Sequence, residues 1–460
     1  MNFAKRTFLI AISGLLISMN ATAQVKYWTL KECVDYAIEN NISVQTSKLD
    51  ISNSELDKKN ALGNFLPGAN ASSNLSWNRG RTVDPITNTN VTLTTMTTNV
   101  GGNVGVTLFD GLQNVRQMQR SKLAIISSQY QMEDMKDDIS LSVATAFLQI
   151  LFNKEALRVL ESQKAITEQE IARTKDLIEA GTLPPGDLFE IEATLASQEQ
   201  QIVDAENQVR LTRISLAQLL LITDYANFDV SIEEYDLNHE PDVLVQEPKT
   251  IFERAVETRY GVKIAEMNLE LAEKDLLIAK GGYAPTLSAF YNLSTFSSNR
   301  DRFSTDPSNP GAILPPQPIG TQWKDNVGHR YGLQLNIPIF SRFGNDVNVQ
   351  KSRLQMERAQ LLTHQTRNDL ESAVNQVYSD AKGALKTYHA AEKTVRARQE
   401  AFKYAEERHS VGVINSFEYQ QTKQLLETAE SNLVRAKYDY IFKLKILEFY
   451  FGIPITDSNL

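Results

Sequence analysis

Leu112 to Ala180 contains neither proline nor glycine, and that interval limits what the chain can become. Nothing in it breaks a helix, and as one helix it would run about 100 Å. Gly181-Thr182-Leu183-Pro184-Pro185-Gly186 ends the run, after which Asp187 to about Thr223 is again free of both residues. The pattern then returns. Asn345 to Val411 carries only Gly383, Gly412 interrupts, and Val413 to Phe451 is clean. Helices this long need partners, so the spacing predicts two long helical hairpins with tips at Gly181 and Gly412.

The two halves align without gaps from Phe109 and Phe340 onward. Ser121-Lys122-Leu123 matches Ser352-Arg353-Leu354, Val143 matches Val374, Gly181 matches Gly412, and Asp187 matches Glu418. Upstream, Ala37 matches Ala255, Pro67 matches Pro285, and Asn74-Leu75-Ser76 matches Asn292-Leu293-Ser294. The shared order marks an internal duplication. Ile139, Val143, Ala146, Ile150, Leu157 and Leu160 follow heptad spacing, as do Leu426, Ala429, Leu433, Ala436, Tyr440 and Leu447. Such a stripe is ordinary helix-pairing core. Beyond Leu160 the register turns polar at Lys164, Thr167 and Thr174, which predicts looser packing there.

Each half also carries two strand candidates between its helices. Ala69, Ala71, Leu75 and Trp77 alternate with Asn70, Ser72, Asn74 and Ser76; Val104, Val106 and Leu108 alternate with Asn103, Gly105 and Thr107. In the second half Leu287, Ala289, Tyr291 and Leu293 alternate with Ser288, Asn292 and Ser294, with Phe290 out of pattern. Tyr331, Leu333 and Leu335 alternate with Arg330, Gly332 and Gln334. One apolar and one small polar face suit a half-buried sheet or a membrane barrel with a wet lumen. Four strands cannot enclose water, and an open sheet in lipid leaves its edges unpaired. Several chains sharing one barrel would solve this, and three would supply about twelve strands.

The expected layout is a signal peptide over 1–23, a first repeat over 24–223 and a linker over 224–246. A second repeat covers 247–454 and a short tail 455–460. Within the first repeat the strand pair spans about 68–109 and the hairpin 111–223; in the second they span about 285–340 and 344–451. Lys5 and Arg6, an apolar core and Ala21-Thr22-Ala23 form the secretory signal, so the chain is expected to be exported.

Composition narrows the function. Lys and Arg total 47 against 56 Asp and Glu, a net charge of −9, which argues against nucleic acid as a partner. A lone cysteine, Cys33, permits no internal disulfide, and five histidines scattered along the chain predict no metal centre. The chain lacks an H-E-x-x-H, a phosphate-binding Gly-Lys loop and a G-x-S-x-G motif, so no enzyme activity and no cofactor are expected. Gly101-Gly102-Asn103-Val104-Gly105 lies on strand alternation and reads as barrel backbone.

Taken together, these features resemble the TolC-like outer membrane efflux proteins (outer membrane factors) across essentially the whole mature chain. The resemblance rests on Leu30 to Asn41, Phe65-Leu66-Pro67, Leu108-Phe109-Asp110-Gly111 and the tips Ala180-Gly181 and Ser410-Val411-Gly412. It implies a mainly α fold with a β-barrel. A homotrimer shares a twelve-stranded barrel in the outer membrane, four strands per chain, continued by a long α-helical coiled-coil barrel in the periplasm. The implied function is the exit duct of a tripartite efflux pump. Its partners would be a periplasmic adaptor (membrane fusion) protein, an inner-membrane pump and outer membrane lipid. A type I secretion duct is the alternative within the family, and a periplasmic coiled-coil adaptor the alternative outside it. By the same resemblance Asp187, Glu190, His409, Glu418 and Gln421 map to the closing aperture. His409 stands where the family has an aromatic residue, and Ile414 where it has a basic one. The apolar turn residues Leu183, Pro184, Val413 and Ile414 are read as exposed adaptor-docking tips.

Overall fold

The structure is a computed structural model that describes residues 26–83, 88–232 and 241–456. The expected signal peptide, part of the linker and most of the C-terminal tail lie outside the described residues. The first half runs β1 (Lys26–Trp28), α1 (Leu30–Asn40), α2 (Ile42–Gly63), β2 (Gly68–Val83), β3 (Asn90–Phe109), α3 (Gln113–Glu179) and α4 (Gly186–Leu219). Then come β4 (Phe228–Val230), α5 (Asp242–Val245), α6 (Pro248–Thr258), α7 (Tyr260–Gly281), β5 (Thr286–Ser298), β6 (Arg302–Phe303) and β7 (Ile313–Leu314). The chain closes with α8 (Ile319–Asp325), β8 (Gly328–Asn336), α9 (Gly344–Ser410) and α10 (Ser416–Phe451). Duplication shows in the lengths: α1 and α6 have 11 residues each, α2 and α7 22 each, α3 and α9 67 each. No helix among the described residues is long and apolar enough to cross a membrane.

The chain folds as two compact units. Among the described residues, one comprises 50–83, 88–128 and 265–363; the other comprises 26–49, 129–232, 241–264 and 364–456. The first unit holds an antiparallel sheet in the order β2-β3-β5-β8, with β2 and β8 as its edges. Register places Ala69, Val104, Tyr291 and Tyr331 on one face, together with Leu75, Val106, Leu293 and Leu333. The other face carries Asn70, Asn103, Asn292 and Arg330. β2 and β3 pair over the whole of β2, whereas β8 pairs with β5 only from Gly328 to Asn336. Above that point the edge of β5 is capped by side chains. The Gln322 amide accepts from Ser298 N and donates to Ser298 O (2.9 and 3.0 Å), and Asn326 Nδ2 donates to Phe296 O (2.8 Å). Two amide side chains thus stand in for a missing strand.

At the exit from β3, Gly111 has φ +70°, and a Cβ there would meet Gly281 O at 2.4 Å. Glycine is required on both counts. This close approach seats the start of α3 on the end of α7.

In the second unit β1 pairs in parallel with β4. Thr29 caps α1 in a reciprocal box, its hydroxyl accepting from Glu32 N while its own N–H donates to Glu32 Oε2 (3.2 and 3.0 Å). At Asn41 the backbone turns extended, ending α1, and its side chain accepts from Ser43 N (2.8 Å) to restart the chain as α2. Two apolar clusters hold the long helices. Cys33, Ala37, Phe147, Ile150, Leu216, Phe228 and Ile441 build one; Ile251, Ala255, Val374, Ala381, Tyr440, Leu444 and Leu447 build the other.

Toward the tips the packing changes chemistry without loosening. The register expected to be slack beyond Leu160 is tightly closed: Gln163, Thr167 and Thr174 are buried, Thr167 completely. Lys164 is not part of this seam; it reaches Glu199 at 3.0 Å instead. Lys423 of α10, 4% exposed, donates to Glu170 Oε2 at 2.7 Å and to Thr167 Oγ1 at 2.9 Å. Gln420 Nε2 donates to the other oxygen of Glu170 (2.6 Å), and Gln198 Nε2 to Glu427 Oε1 (3.2 Å). A polar layer therefore ties α3 to α10 where apolar residues would otherwise meet.

The layer makes itself testable in two ways. Lys423→Ala strands the Glu170 carboxylate in a buried site, which costs about 3–5 kcal/mol; the double variant Lys423→Met with Glu170→Leu should recover most of it, as read by denaturant unfolding in detergent. Burial raises the Glu427 pKa above its ordinary 4.5, with Lys423 opposing and Glu430 and Glu170 adding to the rise. A raised folded value means the contribution of Glu427 is intact below its unfolded pKa and is lost as pH climbs through the folded one. Glu427→Gln should flatten the fall in thermal stability as pH rises through that window, measured by circular dichroism.

Candidate gate and docking tips

The site begins with two helix ends of identical build. Gly181 and Gly412 both adopt φ +74°. Thr182 N donates to Leu177 O (3.0 Å) and Val413 N to Arg408 O (2.9 Å). These are Schellman closures, and left-handed glycine lets each helix stop abruptly. Asn415 then caps α10, its side chain accepting from Glu418 N at 2.9 Å. α4 has no such cap: Pro185 precedes it and no side chain closes it.

Although Asp187 stands in the first turn of α4, its carboxylate is spent across the gap between hairpins, where Ser416 Oγ donates to Oδ2 at 2.7 Å. His409 Nε2 lies 3.5 Å from the same hydroxyl. Its ring stacks on Tyr419, centroids 4.7 Å apart and planes 16° from parallel. With Ser416 giving its proton to Asp187, the hydroxyl oxygen can accept from His409, so the chain His409–Ser416–Asp187 runs in one direction. Burial pushes the Tyr419 hydroxyl well above its usual pKa, with Glu170 and Glu406 adding to the rise. Tyr419 therefore stays neutral.

A cleft of about 710 Å³ opens between the two tips. Asp187, Glu190 and His409 line it together with Glu170, Arg173 and Glu406. Glu418 and Gln421 lie outside the cleft and are exposed. Asp187 and Glu418 are equivalent in sequence yet occupy different surroundings: one is bonded across the hairpins, the other faces solvent at a capped helix start.

Among the turn residues, Val413 is 62% exposed; Pro184 is exposed and Leu183 half-buried. Ile414 corrects the expectation of exposure. It is buried with Ala405 and Tyr419 against Phe402 in a small apolar cluster inside the second tip, because the tight glycine turn folds it back onto its own hairpin. Phe189, Val411 and Phe417 are instead the large apolar side chains left open at the tips, at 68, 73 and 64% exposure. Sequence reasoning missed these three and Ser416. Heptad phase was the available signal for Phe189 and Phe417, since each falls off the buried stripe of its helix.

Comparison with known proteins agrees with this architecture. The sequence profile described as outer membrane efflux protein matches residues 33–220 and 252–452, one segment in each half. The outer membrane protein TolC of Vibrio cholerae is 22% identical over 323 residues, covering 66% of this chain and 65% of that protein. The chain thus spans just under two thirds of that relative. The outer membrane efflux protein BepC of Brucella suis is 18% identical over 434 residues, covering 94% of this chain and 87% of its own. The solved CmeC outer membrane channel of Campylobacter jejuni superimposes with a TM-score of 0.73 at 17% identity, covering 92% of this chain and 85% of that one. With its profile matched in both halves, the chain belongs to the outer membrane efflux protein family.

Proposed function

We propose that the chain is the exit duct of a tripartite efflux pump, assembled as a homotrimer. The observation that carries this reading is the four-stranded sheet with two free edges, one apolar face and one polar face. Three copies joined edge to edge, β8 of one to β2 of the next, make a barrel of about twelve strands with the apolar faces toward lipid and the polar faces around water. The long hairpins then continue the conduit into the periplasm as two repeats per chain, 24–223 and 247–454, joined by a linker at 224–246. Cargo is handed over by an inner-membrane pump through a periplasmic adaptor protein that meets the tips. Val413, Leu183 and Pro184 supply the apolar contact, extended by Phe189, Val411 and Phe417.

The His409–Ser416–Asp187 chain acts as a latch between neighbouring hairpins. Each bond is worth about 1 kcal/mol, so an adaptor that binds the splayed form better shifts the balance. Three Glu418 carboxylates related by threefold symmetry, with Gln421 one turn on, make a ring that favours cations. Glu190 adds negative charge beside the latch.

Two measurements test this reading. In planar bilayers, Asp187→Ala with His409→Ala should raise single-channel conductance, and Glu418→Gln should lower cation selectivity; if neither changes, the constriction is elsewhere. In cells, Val413→Asp with Leu183→Asp should abolish drug efflux while trimer yield stays normal. Normal efflux in that variant would remove the tips from docking.

A further inference from the structure

On the polar face of the four-stranded sheet, every paired position of β2, β3 and β5 is uncharged, and β8 contributes one charge, Arg330. Most of the others are Asn, Ser, Thr, Gln or Gly. Arg330 is placed by its neighbours. Gly332 pairs with Phe290, and a Cβ at Gly332 would come within 3.2 Å of the Phe290 ring. Glycine there lets the aromatic ring lie down on the wall, which explains why Phe290 breaks the polar alternation of β5. The Arg330 guanidinium sits over that ring, 5.7 Å from its centroid, within reach of a cation–π contact. Among the described residues no carboxylate lies within ion-pair distance of Arg330. Asn292 stands directly opposite in register, and Gln334 and Ser288 form the next pair but one on the same face. Together they border a shallow depression of about 450 Å³.

We propose that Arg330, laid on Phe290, is an anion-binding station in the barrel wall that recognises carboxylate-bearing cargo. The inference rests on the trimeric duct, which turns the polar faces into a lumen. A guanidinium over an aromatic ring, with no acidic partner among the described residues, offers a bidentate fork to a carboxylate. The Asn292 and Gln334 amides can donate to oxygens the fork leaves open. Threefold symmetry would repeat the station three times.

The test uses the full chain in planar bilayers with sodium benzoate added on the barrel side. Wild type should show transient, concentration-dependent block. R330Q should weaken that block at least about tenfold, the loss expected for a charge-assisted bidentate contact, and shift the reversal potential in a salt gradient toward cations. R330K keeps the charge and occupies the same register; it should keep the reversal potential but lose most of the block, and it serves should R330Q not insert. Equal block in wild type and R330K, or in wild type and R330Q, overturns the station while the channel stands. A wild type that never conducts overturns the duct reading, and the station with it.

Discussion

The outward edges of β2 and β8 carry backbone N–H and C=O groups that no strand among the described residues pairs. In hydrocarbon such groups cannot be left open, and a row of them excludes a lone open sheet from a bilayer. The side chains repeat the requirement. Tyr331, Leu333 and Leu335 on β8 are 79, 68 and 60% exposed, and Leu75 and Trp77 on β2 are 49 and 62% exposed. Apolar surface on that scale is stable only when covered. In the proposed trimer, pairing edge to edge would satisfy the backbone and lipid would cover the apolar face. The structure also marks where pairing should stop, because Gln322 and Asn326 cap the part of β5 that extends beyond β8.

Along the hairpins the adhesive alternates. Cores around Phe147 and Tyr440 hold the long helices by apolar contact, and a small cluster around Ile414 and Tyr419 holds the second tip. Between them lies the polar layer built on Lys423 and Glu170. Such a layer favours one register, since its ion pair and hydrogen bonds form in that alignment, yet contributes less net stability than apolar packing of the same volume.

Much of this was legible in the sequence because periodicity reports backbone geometry. Proline- and glycine-free runs gave the long helices, period-two alternation gave the four strands, and the repeated order gave the duplication. The side-chain environment was harder to read. Asp187 and Glu418 align, but the Asp187 carboxylate accepts from Ser416 of the other hairpin while Glu418 faces solvent behind the Asn415 cap. Ile414 looked exposed because it follows a turn; the left-handed glycine folds it inward. Gln163 and Lys423 are buried although the heptad count places neither on the stripe, and heptad counting has no means of pairing a buried lysine with an acid on another helix. Phe290 was visible as an exception, and its reason, Gly332, lies on the neighbouring strand.

The account depends most on three chains closing one barrel, and the mass of the detergent-solubilised protein tests that directly. Light scattering corrected for bound detergent should return about three times the mass of one mature chain, stable on dilution. A monodisperse particle carrying the mass of a single chain would contradict it.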